Sequence, residues 1–125
     1  MTFPDSTSHT GMTHQPVDIA VAYLEAFGRQ DMTAAARFIA EDITFESPRV
    51  TLTGVEPYLA AVGEFAKAVT SVEIIAAFGD GDRALVLYDM KTGPFGTIRA
   101  ADYFVVQHGK IISEVLVFDT KPLGS

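Results

Sequence analysis

The groups in this sequence best suited to chemistry on a carbonyl compound are a carboxyl and a phenol. Asp102 lies within an apolar, strand-like run from Thr97 to Val106. A carboxyl enclosed by apolar side chains gains proton affinity, so it can stay neutral near pH 7 and donate a hydrogen bond. Tyr23 shares a helix face with apolar residues, which directs its phenol inward. If the two groups meet in one apolar space, they could bind the oxygen of a carbonyl substrate.

Composition restricts what else the chain can do. Its 125 residues suit one domain with one core, and the hydrophobic fraction of 48% excludes global disorder. The net charge is −7 and the nine Lys and Arg are scattered, which argues against a nucleic-acid partner. The chain has no cysteine, and its three histidines lie in a tail or a turn, so we expect neither a metal nor another cofactor.

The N-terminal residues 1–15 resemble a flexible tail, and residues 16–121 a single domain. The tail is rich in Thr, Ser, Pro and Gly and lacks the apolar segment of a secretory signal. No apolar stretch approaches the ~20 residues that cross a bilayer, so we expect no membrane contact. The expected location is the cytoplasm.

Helical patterns dominate the first half. Pro16 suits a first helical turn, and Ala20, Tyr23, Leu24 and Phe27 follow at helical spacing. Asp31 is expected to cap a second helix whose inward residues include Phe38 and Ile39. A strand is predicted at residues 43–47. Thr53 and Glu56 form a capping-box pattern before a third helix, whose apolar stripe runs from Val55 to Val69.

Strand patterns occupy the second half. Four runs are predicted at residues 71–78, 84–90, 97–107 and 110–119, separated by glycine-containing turns. His108 and Gly109 suit a two-residue hairpin. Runs joined by hairpins form an antiparallel sheet, so the order of elements predicts an α+β fold.

This order of elements resembles the nuclear transport factor 2-like superfamily, which includes SnoaL-like polyketide cyclases and ketosteroid isomerases. The similar segments are residues 22–32, 38–48 and 101–114, within a resemblance that covers roughly residues 17–119. The resemblance implies a cone-shaped α+β barrel, with three N-terminal helices packed on a curved, mostly antiparallel sheet around an apolar pocket. It also implies a homodimer formed through the outer face of the sheet.

The resemblance assigns roles to individual residues. Tyr23 and Asp102 match the positions at which ketosteroid isomerases bind the substrate oxygen, whereas Ser47 occupies the position of their general base. Glu114 shares its strand parity with Ile112, Leu116 and Phe118, which the resemblance directs inward. We therefore expect Glu114 to move the proton, with Tyr23 and Asp102 holding the oxygen.

The epoxide hydrolases of this fold require an Asp-Arg-Asp arrangement that this sequence does not reproduce. Arg99 and Asp102 differ in strand parity, so they point to opposite faces of the sheet. Leu116 occupies the position of the second acid in those enzymes. Epoxide hydrolysis is therefore disfavoured.

Three functions remain open. The first is a cofactor-independent isomerase, cyclase or dehydratase that acts by proton transfer on a small apolar carbonyl compound. The second is a domain that binds a small apolar ligand without chemistry, in which Tyr23 and Asp102 form only a structural hydrogen bond. The third is an interaction domain that uses Tyr103 and Val105 on the outer sheet face. Glu114 could also lie on that exposed face.

Overall fold

The computed structural model describes residues 15–124, and residues 1–14 of the predicted tail lie outside this range. Within residues 15–124, three helices and six strands follow one another. Their bounds are α1 (Pro16–Gly28), α2 (Met32–Ala36), β1 (Ile39–Glu46), β2 (Thr51–Thr53), α3 (Val55–Ala66), β3 (Val69–Asp80), β4 (Arg83–Thr92), β5 (Gly96–Gln107) and β6 (Lys110–Phe118). A short 3-10 turn, Lys121–Leu123, follows β6.

The six strands form one sheet in the order β2-β1-β6-β5-β4-β3. The β1–β6 pair is parallel and the other four pairs are antiparallel. Register shifts interrupt three of the ladders, and such bulges bend a sheet. The predicted α+β class is confirmed. The sheet is open within the described residues, with β2 and β3 at its edges, and the cone-shaped barrel stays a prediction.

Helix α1 forms as the sequence indicates and packs across β3, β4, β5 and β6. Pro16 lies in its first turn, and the predicted inward residues Ala20, Tyr23, Leu24 and Phe27 are all buried. Its last residue, Gly28, lies so close to β3 that an added Cβ would be 2.9 Å from Cβ of Val72. This glycine therefore allows α1 to lie close against the sheet.

The second helix is shorter than predicted. Asp31 caps it as expected, because its carboxylate accepts a hydrogen bond from the backbone N–H of Ala34 at 3.1 Å. The helix ends at Ala36, however, and Ile39 begins β1 instead of continuing a helix face. The cause is tertiary, since the carbonyl of Phe38 accepts from the backbone N–H of Ile111 at the start of β6. Pairing between strands overrides the local helical period here.

The predicted capping box is wrong. Gly54 is the N-cap of α3 with φ of 99°, and no side chain caps this helix. Thr53 instead ends β2, a short strand that the sequence analysis did not detect. The helix ends at Ala66, and Val69 already belongs to β3.

The last hairpin and its bulge determine which residues of β6 face inward. His108 and Gly109 connect β5 to β6 with φ of 54° and 76°, which confirms the two-residue turn. Val105 pairs with Ser113 and Val106 with Ile111, so Ile112 is the extra residue of a bulge. The bulge changes the strand parity, and both Ile111 and Glu114 are buried as a result.

Candidate functional site

An apolar cavity of about 260 Å³ opens between the helices and the inner face of the sheet. Aliphatic and aromatic side chains make up most of its wall, and Arg49 and Glu114 are its two charged residues. The lining residues are Tyr23, Leu24, Phe27, Phe45, Ser47, Arg49, Val50, Ala61, Val62, Phe65, Tyr88, Met90, Glu114, Leu116, Phe118 and Leu123. Such a cavity suits a small ligand, since it is smaller than the ~300–1,000 Å³ of pockets for drug-sized molecules.

Glu114 connects this cavity to a buried polar network. It is only 4% exposed, and its Oε1 accepts a hydrogen bond of 2.5 Å from the hydroxyl of Tyr58 on α3. The Tyr58 hydroxyl is in turn hydrogen-bonded to the hydroxyl of Tyr23 on α1. Because the Tyr58 proton is directed at Glu114, Tyr23 must donate in this second bond. Two phenols from two helices thus form a chain of hydrogen bonds, from Tyr23 to Tyr58 to Glu114, that ends at a carboxyl group of the sheet.

The other half of the network lies on the inner face of the sheet. The hydroxyl of Tyr88 on β4 donates to Oδ2 of Asp102 on β5 at 2.5 Å. Asp102 is fully buried. Asp102 pairs with Val86 on β4, two residues before Tyr88, and with Leu116 on β6, two residues after Glu114. The three polar side chains therefore follow a diagonal across β4, β5 and β6.

The two carboxyl groups of the network, Asp102 and Glu114, interact, and burial raises the pKa of both. Burial raises the pKa of Asp102 well above its ordinary value, and the neighbouring Glu114 raises it further. Burial also raises the pKa of Glu114, while hydrogen bonds from Asp102 and Tyr58 lower it. Oδ1 of Asp102 is buried and accepts from no donor. Because Oδ2 accepts from Tyr88, Oδ1 is the oxygen that suits a proton, and the pKa of Asp102, raised well above its ordinary value by burial, makes Asp102 the neutral acid and Glu114 the carboxylate.

The three tyrosines remain phenols in this environment. Burial raises the pKa of each of them well above 10.0. For Tyr23 and Tyr58 the next largest cause is the charge of Glu114. All three therefore keep their protons and act as hydrogen-bond donors near neutral pH.

The three candidate residues from the sequence lie in this one network, but not in the contacts expected for them. Tyr23 and Glu114 reach the cavity wall, whereas Asp102 is not among the lining residues. A direct Tyr23–Asp102 hydrogen bond was wrong, since their phenol and carboxyl contact Tyr58 and Tyr88 instead. The inward direction of Glu114 overturns the alternative that it is exposed on the outer face.

Tyr58 and Tyr88 were missed as members of the site. Tyr88 has the same strand parity as Val86 and Met90, and all three are buried. That alternation was present in the sequence and could have identified Tyr88 as an inward phenol. Tyr58 was harder to identify from the sequence, because it does not belong to the apolar stripe that was predicted for α3.

Two other polar residues, Ser47 and Asp89, have structural partners. Ser47 lines the cavity, but its hydroxyl accepts from the backbone N–H of Val50 and donates to the Val50 carbonyl, both at 3.1 Å. It therefore holds the β1–β2 turn. Asp89 binds Arg99 at 2.7 Å on the opposite face of the sheet from Asp102. The opposite orientation of Arg99 and Asp102 is as predicted.

Two further searches cover residues 15–124. No group of three or more His, Cys, Asp or Glu in this range is arranged to hold a metal ion. Within the same range, no helix has the length and hydropathy needed to cross a bilayer.

Comparison with known proteins places this geometry in a family. The model of the SnoaL-like domain matches residues 20–114. A crystal structure of a protein from Kribbella flavida DSM 17836 is 29% identical, with a TM-score of 0.84 over 89% of this chain and 92% of its own. A second protein from the same organism, described as a proposed ketosteroid isomerase, is 20% identical, with a TM-score of 0.76 over 86% and 79%.

A protein of Sinorhizobium meliloti described as a proposed polyketide cyclase is 25% identical, with a TM-score of 0.70 over 79% of this chain and 93% of its own. Solved structures described as NTF2-like also match. A search of the curated proteins found no match. These similarities confirm the resemblance to the nuclear transport factor 2-like superfamily. With about three quarters of its sequence matched by the family model, the chain belongs to the SnoaL-like domain family.

Proposed function

We propose that this protein is a cofactor-independent enzyme that transfers a proton on a small apolar carbonyl compound, as an isomerase, cyclase or dehydratase. One observation supports this more than any other: the carboxylate of Glu114 lies at the wall of an apolar cavity, with a neutral acid and a phenol bonded to it. A buried carboxylate with a raised pKa is a better match for proton transfer near neutral pH than an exposed one. Two matched proteins, described as a proposed isomerase and a proposed cyclase, agree with this class of reaction.

In this proposal Glu114 is the base and Tyr23 binds the oxygen. Glu114 takes a proton from the carbon next to the substrate carbonyl, and the electron pair of the broken C–H bond moves onto the carbonyl oxygen as an enolate. Tyr23 turns its proton from Tyr58 to that oxygen, exchanging one hydrogen bond for another. Glu114 then returns the proton to carbon or to a leaving hydroxyl group. The cavity carries one negative charge throughout, first on Glu114 and then on the enolate.

Asp102 acts behind the wall in this mechanism. Its proton stabilises the Glu114 carboxylate, and its Oδ2 fixes the phenol of Tyr88. It is a positioning residue, because it does not line the cavity. The catalytic residues of the proposal are therefore Glu114 and Tyr23, with Tyr88 as a second phenol at the wall.

Proton exchange on a simple ketone tests the proposal. Wild-type protein should accelerate deuterium incorporation next to the carbonyl of 2-tetralone in D₂O, measured by proton NMR. Glu114→Gln should abolish the acceleration and keep ketone binding, because glutamine preserves the shape of the side chain but cannot accept the proton. Glu46→Gln is the matched control, since Glu46 is exposed on the adjacent strand and pairs with Val115.

A second function, binding of a small apolar ligand without chemistry, is favoured by one specific observation. The hydroxyls of Tyr23, Tyr58 and Tyr88 all have partners within the network, so it is satisfied without a ligand. If wild-type protein binds 2-tetralone and exchange stays at the buffer rate, this second function replaces the first.

We further propose a homodimer formed through the outer sheet face. Phe78, Leu85, Tyr103 and Val115 pair in one row across four strands. Phe78 is 68% exposed and Leu85 is 49% exposed, and exposed apolar rows mark association surfaces. Leu85→Lys should therefore produce a monomer in light scattering without loss of ketone binding. A wild-type monomer would contradict this proposal.

Contact with nucleic acid or membrane is not expected, and a cytoplasmic location stays a prediction.

A further inference from the structure

We propose that the ligand of this cavity is a carboxylic acid, and that Arg49 at the cavity mouth binds its carboxylate. The inference deepens the proposed function and rests on it for the position of the reacting carbonyl. The substrate class is then a small oxo-carboxylic acid with an apolar body. Its carbonyl lies beside Tyr23 and Glu114, and its carboxylate lies at the opening.

The two charges of the cavity differ in depth. Glu114 is almost fully buried, whereas Arg49 and its neighbour Val50 are exposed. The wall between them is almost wholly apolar. A ligand that fits this distribution has an apolar middle and an anionic group at one end. A ligand without a charge would leave the guanidinium at the mouth without a counterpart.

Arg49 has no anionic partner among residues 15–124. The ion pairs of that range involve Lys67, Arg83 and Arg99. The contact recorded for the Arg49 guanidinium is one long hydrogen bond, from Nη2 to the carbonyl of Leu123 at 3.4 Å. A guanidinium has five N–H donors arranged to bind a carboxylate through two parallel bonds. Other cations of that range also lack an ion pair, but Arg49 is the one that lines the cavity.

The backbone that carries Arg49 is fixed. The Ser47 hydroxyl accepts from the backbone N–H of Arg49 at 3.3 Å and from that of Val50 at 3.1 Å. The backbone N–H of Ser47 donates to the Val50 carbonyl at 2.9 Å. The turn from Ser47 to Val50 is therefore closed by its own hydrogen bonds. Because the turn is ordered in advance, less entropy is lost when Arg49 binds an anion.

The cavity size favours a carboxylate on a small body. The cavity volume of about 260 Å³ lies below the ~300–1,000 Å³ of pockets for drug-sized molecules, so it suits a ligand with a small apolar body. A single guanidinium also matches one planar carboxylate, with two donors for its two oxygens.

Binding of two ligands of similar shape tests the inference without any turnover. 2-Naphthoate carries the carboxylate, and 2-acetylnaphthalene replaces it with a neutral ketone. Affinities are measured by titration calorimetry for wild type, Arg49→Gln and Arg49→Lys. Arg37→Gln is the control, because it removes the same charge from an exposed site at the opposite end of β1.

We expect Arg49→Gln to weaken 2-naphthoate binding about tenfold, a typical effect of a charge-assisted hydrogen bond at a partly exposed site. Binding of 2-acetylnaphthalene should be unchanged. Arg49→Lys should give an intermediate loss, because lysine keeps the charge without the paired donors. Arg37→Gln should leave both affinities unchanged, and added salt should weaken only the binding of 2-naphthoate.

Three results overturn the inference: equal losses for both ligands in Arg49→Gln, no loss for either, or no binding of 2-naphthoate by wild-type protein at millimolar concentration. The catalytic proposal fails separately. If 2-tetralone exchange is absent but 2-naphthoate binding depends on Arg49, the anion site stands and the enzyme does not.

Discussion

Asp102→Asn tests whether Asp102, and not Glu114, carries the proton of the buried carboxyl pair. An asparagine amide has the shape of a protonated carboxyl group, so it can donate to Glu114 through its nitrogen and accept from Tyr88 through its oxygen. The variant should therefore keep the network intact. Asp102→Leu should not, because it leaves the Tyr88 hydroxyl without a partner and leaves Glu114 with Tyr58 as its remaining donor, at a cost of roughly 1–3 kcal/mol per buried group that loses its hydrogen bond.

The magnitude follows from proton linkage. The pKa of Asp102 is raised in the folded state above its ordinary value of 3.8, so between these two values the folded protein binds the proton and the unfolded chain does not. The free energy of unfolding therefore falls as pH rises through this window, by up to about 1.4 kcal/mol per pH unit for one proton. Asparagine does not titrate. The free energy of unfolding of Asp102→Asn, taken relative to wild type, should therefore rise by up to about 1.4 kcal/mol per pH unit.

Urea unfolding at a series of pH values above the ordinary pKa of aspartate measures this difference, because Asp102 of the unfolded chain is already ionised there. Asp89→Asn is the matched control. The hydrogen bond from Arg99 lowers the pKa of Asp89, so Asp89 is ionised in both the folded and the unfolded chain at these pH values. Its contribution to the free energy of unfolding is lost only as pH falls through that lowered pKa. Its pH slope should equal that of wild type. Equal slopes for Asp102→Asn and wild type would refute the assignment of the proton to Asp102.

Three further changes test other parts of the structure. Tyr58→Phe removes a donor from Glu114, so the pKa of Glu114 should rise and the acid limb of the exchange-rate profile should move to higher pH, with a loss of roughly 1–3 kcal/mol in unfolding free energy. Gly28→Ala should destabilise the fold by about 1–3 kcal/mol through overpacking against Val72, and Val72→Ala should restore part of that loss in thermal melts. Ser47→Ala should leave the midpoint of the exchange-rate profile unchanged, because the Ser47 hydroxyl holds a turn and does not accept the substrate proton.

The elements that were predicted well are those whose pattern and packing agree. In α1 the helical spacing of Ala20, Leu24 and Phe27 coincides with the side that packs on the sheet. The hairpin at His108 was predictable because two-residue turns require positive φ, which glycine accepts readily. In both cases a local rule and the tertiary structure require the same conformation.

The errors occur where partners distant in sequence decide the conformation. Ile39 fits a helix face locally, but it pairs with Ile111 on a strand more than seventy residues away. Similarly, the contacts of Asp102 depend on Tyr88 and Glu114, whose side chains meet only through the diagonal offset of three strands. Strand parity alone predicts that these residues face inward. It does not predict which of them reaches the cavity wall.

A satisfied polar network could exist for structural reasons alone, since buried groups that bond one another are tolerated. The position of the Glu114 carboxylate at the cavity wall argues against a purely structural role. Tyr58 and Asp102, the two members that do not line the cavity, are the ones that donate to Glu114. A network that served only the core would gain nothing by keeping its anion at an apolar wall, where desolvation raises the pKa of Glu114 and costs free energy. A base that must reach a substrate has to be at that wall, and hydrogen bonds from behind keep it ionised while leaving the cavity side open to the ligand.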